Sequence, residues 1–192
     1  MNRILITGAN GQLGTDCRAV FKNSADVSGI DLPEVDLSDR SRCLEFLDRC
    51  NPDVIVNCAA YTAVDACETD PACWKANRDL PGYLAEWTER NEAFLLHVST
   101  DYVFSGDKPL FQSLEESEAP NPISEYGKSK LAGERVVAET TRRHAILRTA
   151  WLYGAHGNNF LKTMLRLTLQ NPGKEFKVVS DQYGSPTWSM TL

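Results

Sequence analysis

Apolar residues along this chain fall into short unbroken runs, separated by stretches of helical period. The runs "RILIT" (3–7), "DVSGI" (26–30), "DVIVNC" (53–58), "AFLLHVS" (93–99), "HAILRT" (144–149) and "EFKVV" (175–179) are of strand length. Most lack the alternation of a sheet with one wet face, which predicts strands covered on both sides. Between them the spacing predicts helices near 12–22, 39–50, 72–90, 125–139 and 159–170. Ser38 or Asp39 is placed to cap the second helix and Ser124 the fourth. Strands alternating with helices across short joins imply an α/β fold, a Rossmann-like doubly wound parallel sheet. The longest irregular stretch, 105–123, contains prolines and an acidic "EESE". It stands between a strand and a helix, where a functional loop is expected.

Composition narrows the function classes. The 192 residues suffice for one good-sized domain and part of a second. A net charge of −6 without any Lys/Arg run argues against nucleic acid as a partner. No apolar run approaches the roughly 18 residues of a membrane span. "ILIT" begins within three residues of the first methionine, which leaves no room for a signal peptide and predicts a cytoplasmic protein. The six cysteines (17, 43, 50, 58, 67 and 73) form no C-x-x-C, and several fall in apolar or helical patterns. Reduced, mostly buried thiols are therefore expected. His97, His144 and His156 are not spaced for zinc, and no metal site is expected.

The first strand runs into "ITGANGQLGTD", where Gly8, Gly11 and Gly14 form G-x-x-G-x-x-G at the opening of a helix. Glycines there let the chain turn tightly and let its backbone, with Asn10, Gln12 and Leu13, approach a pyrophosphate at the helix N-terminus. Tight βα turns also use glycine, so the position on the first strand–helix junction carries the signal. Asp31 ends the second strand, placed to accept hydrogen bonds from an adenosine ribose and to repel a 2′-phosphate. Asp36 and Leu37 could flank the adenine. "NCAA" ends the third strand, offering Ala59 and Ala60, followed by Tyr61, for close approach to a cofactor.

The strand 93–99 ends in "VSTDYVFSG". Ligands of open α/β sheets bind beyond the carboxyl ends of the strands, so Ser99, Thr100 and Asp101 should face the crevice. Farther on, Tyr126 and Lys130 stand four apart at the head of a helix, hence on one face. An ammonium beside a phenol favours the phenolate, so the pair predicts a tyrosine of lowered pKa that exchanges a proton. Thr100 would hydrogen-bond a substrate carbonyl while Tyr126 supplies the proton.

The motifs "ITGANGQLG", "VNCAAYTAVDACE", "STDYVFSG", "NPISEYGKSKLAGE", "RTAWLYG", "HGNNFLKTML" and "SDQYGSP" together resemble the extended short-chain dehydrogenases. Within these the chain is similar to the dTDP-4-dehydrorhamnose reductase family. The resemblance implies reduction of dTDP-4-dehydro-L-rhamnose to dTDP-L-rhamnose by NADH or NADPH. It implies Tyr126 as proton donor, Lys130 as its partner and a contact to the cofactor ribose, and Thr100 at the carbonyl. It further implies Asp101 and Trp151 near the sugar, and Asn77 helping to position the lysine. Residues 1–150 would form the NAD(P)-binding domain and 151–192 the start of a substrate-binding region that stops short. NADH binding with little turnover is the expectation for such a chain, and a homodimer is left open. Leu32 stands where many relatives carry arginine, which tilts the choice toward NADH. Two rivals remain: a nucleotide-sugar epimerase or dehydratase, disfavoured because Asp101 is followed by Tyr102 rather than glutamate, and a regulatory subunit like the methionine adenosyltransferase β subunit.

Overall fold

The computed structural model describes residues 2–108 and 112–192. The sequence-predicted loop 105–123 therefore lies partly outside the described residues. Five parallel strands form one sheet: β1 (Arg3–Thr7), β2 (Asp26–Ile30), β3 (Val54–Asn57), β4 (Phe94–Thr100) and β5 (His144–Thr149). Their order is β2-β1-β3-β4-β5, so the winding reverses between β1 and β3. In open α/β sheets the crevice at such a reversal is where ligands bind.

The period-2 geometry of strands sends neighbouring residues to opposite faces. Leu5, Ile55 and Leu95 enter the larger core, against Leu47 of α2 (Arg40–Cys50), Leu84 and Trp87 of α4 (Leu80–Arg90) and Val137 of α5 (Glu125–Thr140). Ile6 and Val56 face the other way, toward Cys17 and Phe21 of α1 (Gln12–Phe21). Both sides of the strands are thus covered, as their unbroken apolar runs predict. The predicted helix 72–90 is built from α3 (Ala72–Trp74), a π-helical turn (Lys75–Asp79) and α4. Asp39 caps α2 by accepting from the Arg42 N–H, and Ser124 caps α5 by accepting from the Gly127 N–H.

Two expectations fail. Residues 175–179 form no strand, and all but Phe176 are exposed. A separate parallel pair, β6 (Leu152–Tyr153) and β7 (Thr187–Trp188), sits beyond the main sheet. Among the described residues "EFKVV" pairs with no strand, and apolar residues alone do not make a sheet. The cysteines are not all thiols: Cys67 and Cys73 form a disulfide, while Cys17, Cys43, Cys50 and Cys58 are free. Cys67 lies in a short 3₁₀ turn (Ala66–Glu68) and Cys73 in α3, and the turn between them brings their Cα atoms to 5.3 Å. That is within the usual span of a disulfide.

The last helix, α6 (Phe160–Gln170), buries none of its residues and presents Phe160, Leu161, Leu165 and Leu169 to solvent. Among the described residues no helix is long and apolar enough to cross a membrane.

Candidate active site

The glycine loop joins β1 to α1 at the carboxyl edge of the sheet. Gly8 adopts φ +63°, a conformation that disfavours a side chain, and a Cβ on Gly14 would stand 2.2 Å from the Gly8 carbonyl oxygen. The loop is folded so tightly on itself that only glycine fits. Gly11 caps α1 without a side-chain acceptor, and the first bond into the helix is from the Thr15 N–H to the Gly11 carbonyl. The N–H groups of Gln12, Leu13 and Gly14 consequently have no helical partner, and point out of the helix start where an anion is favoured. Asp31, at the end of β2, accepts from the Asn10 N–H at 2.9 Å and from the Leu32 N–H at 2.8 Å, which sets its carboxylate at the rim of this loop. Ala59 lies against the opposite side, its N–H 2.7 Å from where a Gly8 Cβ would be. These features fit the pyrophosphate and ribose of a dinucleotide. Gly14→Ala is expected to abolish that fit and to cost about 1–3 kcal/mol of stability by overpacking, as read from a thermal melt and a cofactor titration.

Two residues of the predicted cofactor site are used elsewhere. Leu37 packs in the core beside α2. Asp36 turns back on its own loop, accepting from the Ser38 N–H and Oγ, which holds its carboxyl below the usual range. The adenine-flanking expectation for this pair does not match these contacts.

At the other side of the crevice, β4 delivers Thr100 and Asp101, and α5 delivers Tyr126 and Lys130. The helix comes close to the strand end because residue 127 is glycine: a Cβ there would stand 2.2 Å from the Tyr102 carbonyl oxygen. Tyr126 is only 9% exposed, its ring edge-on to Tyr102 at 5.5 Å between centroids. Burial pushes its phenol up from the ordinary value, and the nearby Thr100 hydroxyl opposes that shift. The Thr100 hydroxyl also donates to the Asp101 carboxylate at 3.2 Å, and burial raises the Asp101 carboxyl. Lys130, 2% exposed, donates to the Val98 carbonyl at 2.7 Å. Burial brings its pKa down to about 8, with the charge of Glu134 pulling the other way.

This corrects the sequence-based expectation that the lysine lowers the tyrosine's pKa. The ammonium is held by a backbone carbonyl, and the dry environment of the phenol dominates. A phenol raised in this way stays protonated at neutral pH, which suits a proton donor. Asn77, in the π-helical turn, does not bond to Lys130. Its Oδ1 accepts from the Tyr61 N–H at 2.9 Å, and its Nδ2 donates to the Tyr61 carbonyl and to Ser129 Oγ, each at 3.0 Å. Ser129 in turn donates to the Tyr126 carbonyl at 2.7 Å. Asn77 thus ties the Tyr61 loop to the helix that carries the pair. Tyr61 also bonds through its hydroxyl to Asp70. Trp151 lies two residues beyond β5 with φ +46°, its indole packed against Gly184.

Several residues escape sequence reading. Thr7, Asn57 and His97 stand in register on β1, β3 and β4 and form a buried hydrogen-bonded row, Thr7 Oγ1 donating to Asn57 Oδ1 and Asn57 Nδ2 to His97 Nδ1. Burial and the nearby Lys130 charge keep His97 neutral. Glu134, one turn beyond Lys130, pairs with Arg148 of β5 through two bonds, and that guanidinium lies over the Phe104 ring. Ser129 and Glu134 stand within the motif that holds the pair, the one signal that could have marked them.

The parallel α/β sheet, the glycine loop at its first turn and the Tyr-x-x-x-Lys pair at its carboxyl edge define a Rossmann-like protein of the short-chain dehydrogenase class. The chain belongs to the RmlD substrate binding domain family, whose pattern matches residues 1–192. It is 42% identical over 191 residues to the dTDP-4-dehydrorhamnose reductase of Burkholderia thailandensis, covering 99% of this chain and 63% of that protein. It is 38% identical to the spore coat polysaccharide biosynthesis protein SpsK of Bacillus subtilis, covering 100% of this chain and 67% of the relative. The crystal structure of dTDP-4-dehydrorhamnose reductase from Bacillus anthracis in complex with NADP resembles it with a TM-score of 0.92 and 39% identity, over 98% of this chain and 66% of that one. The chain thus spans a little under two thirds of the length of the first of these relatives.

Proposed function

We propose that this protein takes part in reducing a 4-keto nucleotide sugar of the dTDP-4-dehydrorhamnose type, with a nicotinamide dinucleotide as reductant. The observation that carries this reading is a buried Tyr126 at the head of α5, packed at the carboxyl end of β4 where Thr100 stands. In this reading residues 1–150 hold the dinucleotide, and 151–192 begin the region that receives the sugar nucleotide. A bound nicotinamide dinucleotide supplies the hydride. Thr100 orients the carbonyl oxygen by hydrogen bonding, and Tyr126 gives that oxygen its proton. Lys130 would reach the cofactor ribose from the same helix. The loop N–H groups of Gln12, Leu13 and Gly14 hold the pyrophosphate, with Asn10, Gly8 and Gly11 shaping the turn. Asp31 takes the adenosine ribose, and Ala59, Ala60 and Tyr61 line the far wall. Asp101 and Trp151 face the sugar. A dTDP-sugar and the cofactor are the partners, and the cytoplasm is the compartment.

Asp31, with the neutral Leu32 beside it, favours NADH, because a carboxylate there repels a 2′-phosphate and no guanidinium offsets it. Asp31→Ala combined with Leu32→Arg is expected to shift the ratio of dissociation constants toward NADPH. Fluorescence titration with both cofactors checks this, and a strong NADPH preference in the unaltered protein would refute the reading of β2. The overall proposal is tested by incubating the protein with NADH and an enzymatically prepared dTDP-4-keto sugar. NADH should bind and be consumed slowly, with the 4-hydroxy sugar as the product of whatever turnover occurs.

A further inference from the structure

The Cys67–Cys73 disulfide lies directly behind the proposed proton donor. Cys67, Cys73 and Tyr126 form one buried cluster, with Tyr61 and Val64 packed against it. Cys73 is fully buried and Cys67 is 3% exposed. Cys73 Sγ is 3.3 Å from Ser129 Oγ and 3.5 Å from Asn77 Nδ2, the two side chains that connect the Tyr61 loop to α5. On the other side of the bond, the turn that holds Cys67 also holds Glu68, whose carboxylate accepts from the Glu125 N–H at the start of α5. The disulfide therefore joins the Tyr61–Asp70 segment to α3, and both of its ends rest against the start of α5 with Tyr126 through non-covalent contacts.

We propose that Cys67 and Cys73 are a reversible redox site, and that closing the bond tightens the dinucleotide crevice. The oxidant is a hydroperoxide. The Cys67 thiolate attacks the distal oxygen of the hydroperoxide; an S–O bond forms, the O–O bond breaks, and the departing alkoxide, or hydroxide from hydrogen peroxide, takes a proton. Cys73 then attacks the resulting sulfenic sulfur; the S–S bond forms, the S–O bond breaks, and water leaves. Two thiols are oxidised and one hydroperoxide is reduced, giving water twice when the oxidant is hydrogen peroxide. A dithiol reductant reverses the reaction by thiol–disulfide exchange and is itself left as a disulfide.

The coupling to the crevice has two physical sources. Reduction lets the sulfurs move out of bonding distance, and Cys67, on a short turn, is freer to move than Cys73 on its helix. It also places two S–H groups in a dry cluster where Ser129 Oγ already donates to the Tyr126 carbonyl and accepts from Asn77. The closed form holds the Tyr61–Asp70 segment ordered before any ligand arrives, so less ordering remains to be done on binding.

The redox site itself does not depend on the function proposed above; only its effect on dinucleotide affinity does. The test compares the unaltered chain after dithiothreitol and after hydrogen peroxide. Peptide mapping after alkylation should find the 67–73 linkage only in the oxidised sample. Amide hydrogen exchange should be slower at 61–70 and 124–130 in that sample, and NADH should bind roughly fivefold or more tightly, the lower range of typical coupling between sites. Cys67→Ser should remove all three differences. Absence of the linked peptide after peroxide overturns the redox site. A linkage that leaves amide exchange and NADH affinity unchanged overturns the coupling. Slower exchange together with no NADH binding in either state upholds the redox site and removes the dinucleotide reading instead.

Discussion

Tyr126→Phe is expected to lower turnover of a dTDP-4-keto sugar by roughly 10²–10⁴-fold, the usual contribution of a positioned proton transfer. The dissociation constant for NADH should stay close to that of the unaltered protein, because Gly8, Gly14 and Asp31 are untouched. The separation of the two effects is the informative part. The ring of phenylalanine keeps the edge-on packing against Tyr102 and the contact with Cys67 and Cys73, and only the hydroxyl beside Thr100 is lost. Rapid-mixing absorbance at the nicotinamide band measures the rate, and fluorescence titration the affinity. Near-wild-type turnover in Tyr126→Phe would remove this residue from the chemistry.

The second large effect belongs to Lys130. Burial lowers its pKa to about 8, so the ammonium is lost as the pH rises through that value. Affinity for NADH is expected to weaken over the same interval, since the neutral amine makes a poorer partner for the ribose. Stability moves in the opposite direction. The folded-state pKa lies below the 10.5 of the free side chain, so between pH 8 and 10.5 the unfolded chain binds a proton that the folded chain does not. Stability from this group therefore rises with pH through that window, by up to about 1.4 kcal/mol per pH unit, and is at its lowest below pH 8. Lys130→Met should remove that slope and also weaken NADH binding and turnover at pH 7. Chemical denaturation at several pH values, for both proteins, reads the difference. Equal slopes would mean that Lys130 is protonated in the folded protein across the whole range.

These predictions rest on features of unequal legibility. The parallel sheet could be read from the sequence because strands such as "RILIT" and "DVIVNC" are apolar on both faces, and only a covered sheet accommodates that. The glycine loop and the Tyr126/Lys130 pair were legible because each is a local pattern, a turn that needs glycine and a helix that repeats every four residues. "EFKVV" misled because its composition suits a strand, while among the described residues it pairs with none. The two-residue strands β6 and β7 are too short to carry a period. The Cys67–Cys73 disulfide depends on the turn between two cysteines six residues apart, while the row from Thr7 to His97 depends on which distant strands meet, and no local pattern encodes that. The direction of the Tyr126 shift was misread for the same reason: a charge four residues away is visible in sequence, whereas the burial that outweighs it belongs to the folded protein.

The proposed reaction delivers hydride to a sugar carbonyl held between Thr100 and Tyr126. Its most direct test uses NADH carrying deuterium at the transferable position of the nicotinamide, together with an enzymatically prepared dTDP-4-keto sugar. The predicted result is a 4-hydroxy sugar with deuterium on the former carbonyl carbon, in an amount equal to the NADH oxidised, and with that yield collapsing in Tyr126→Phe. A 4-hydroxy sugar formed without deuterium while the labelled NADH is oxidised, or an unchanged yield in Tyr126→Phe, would contradict the account.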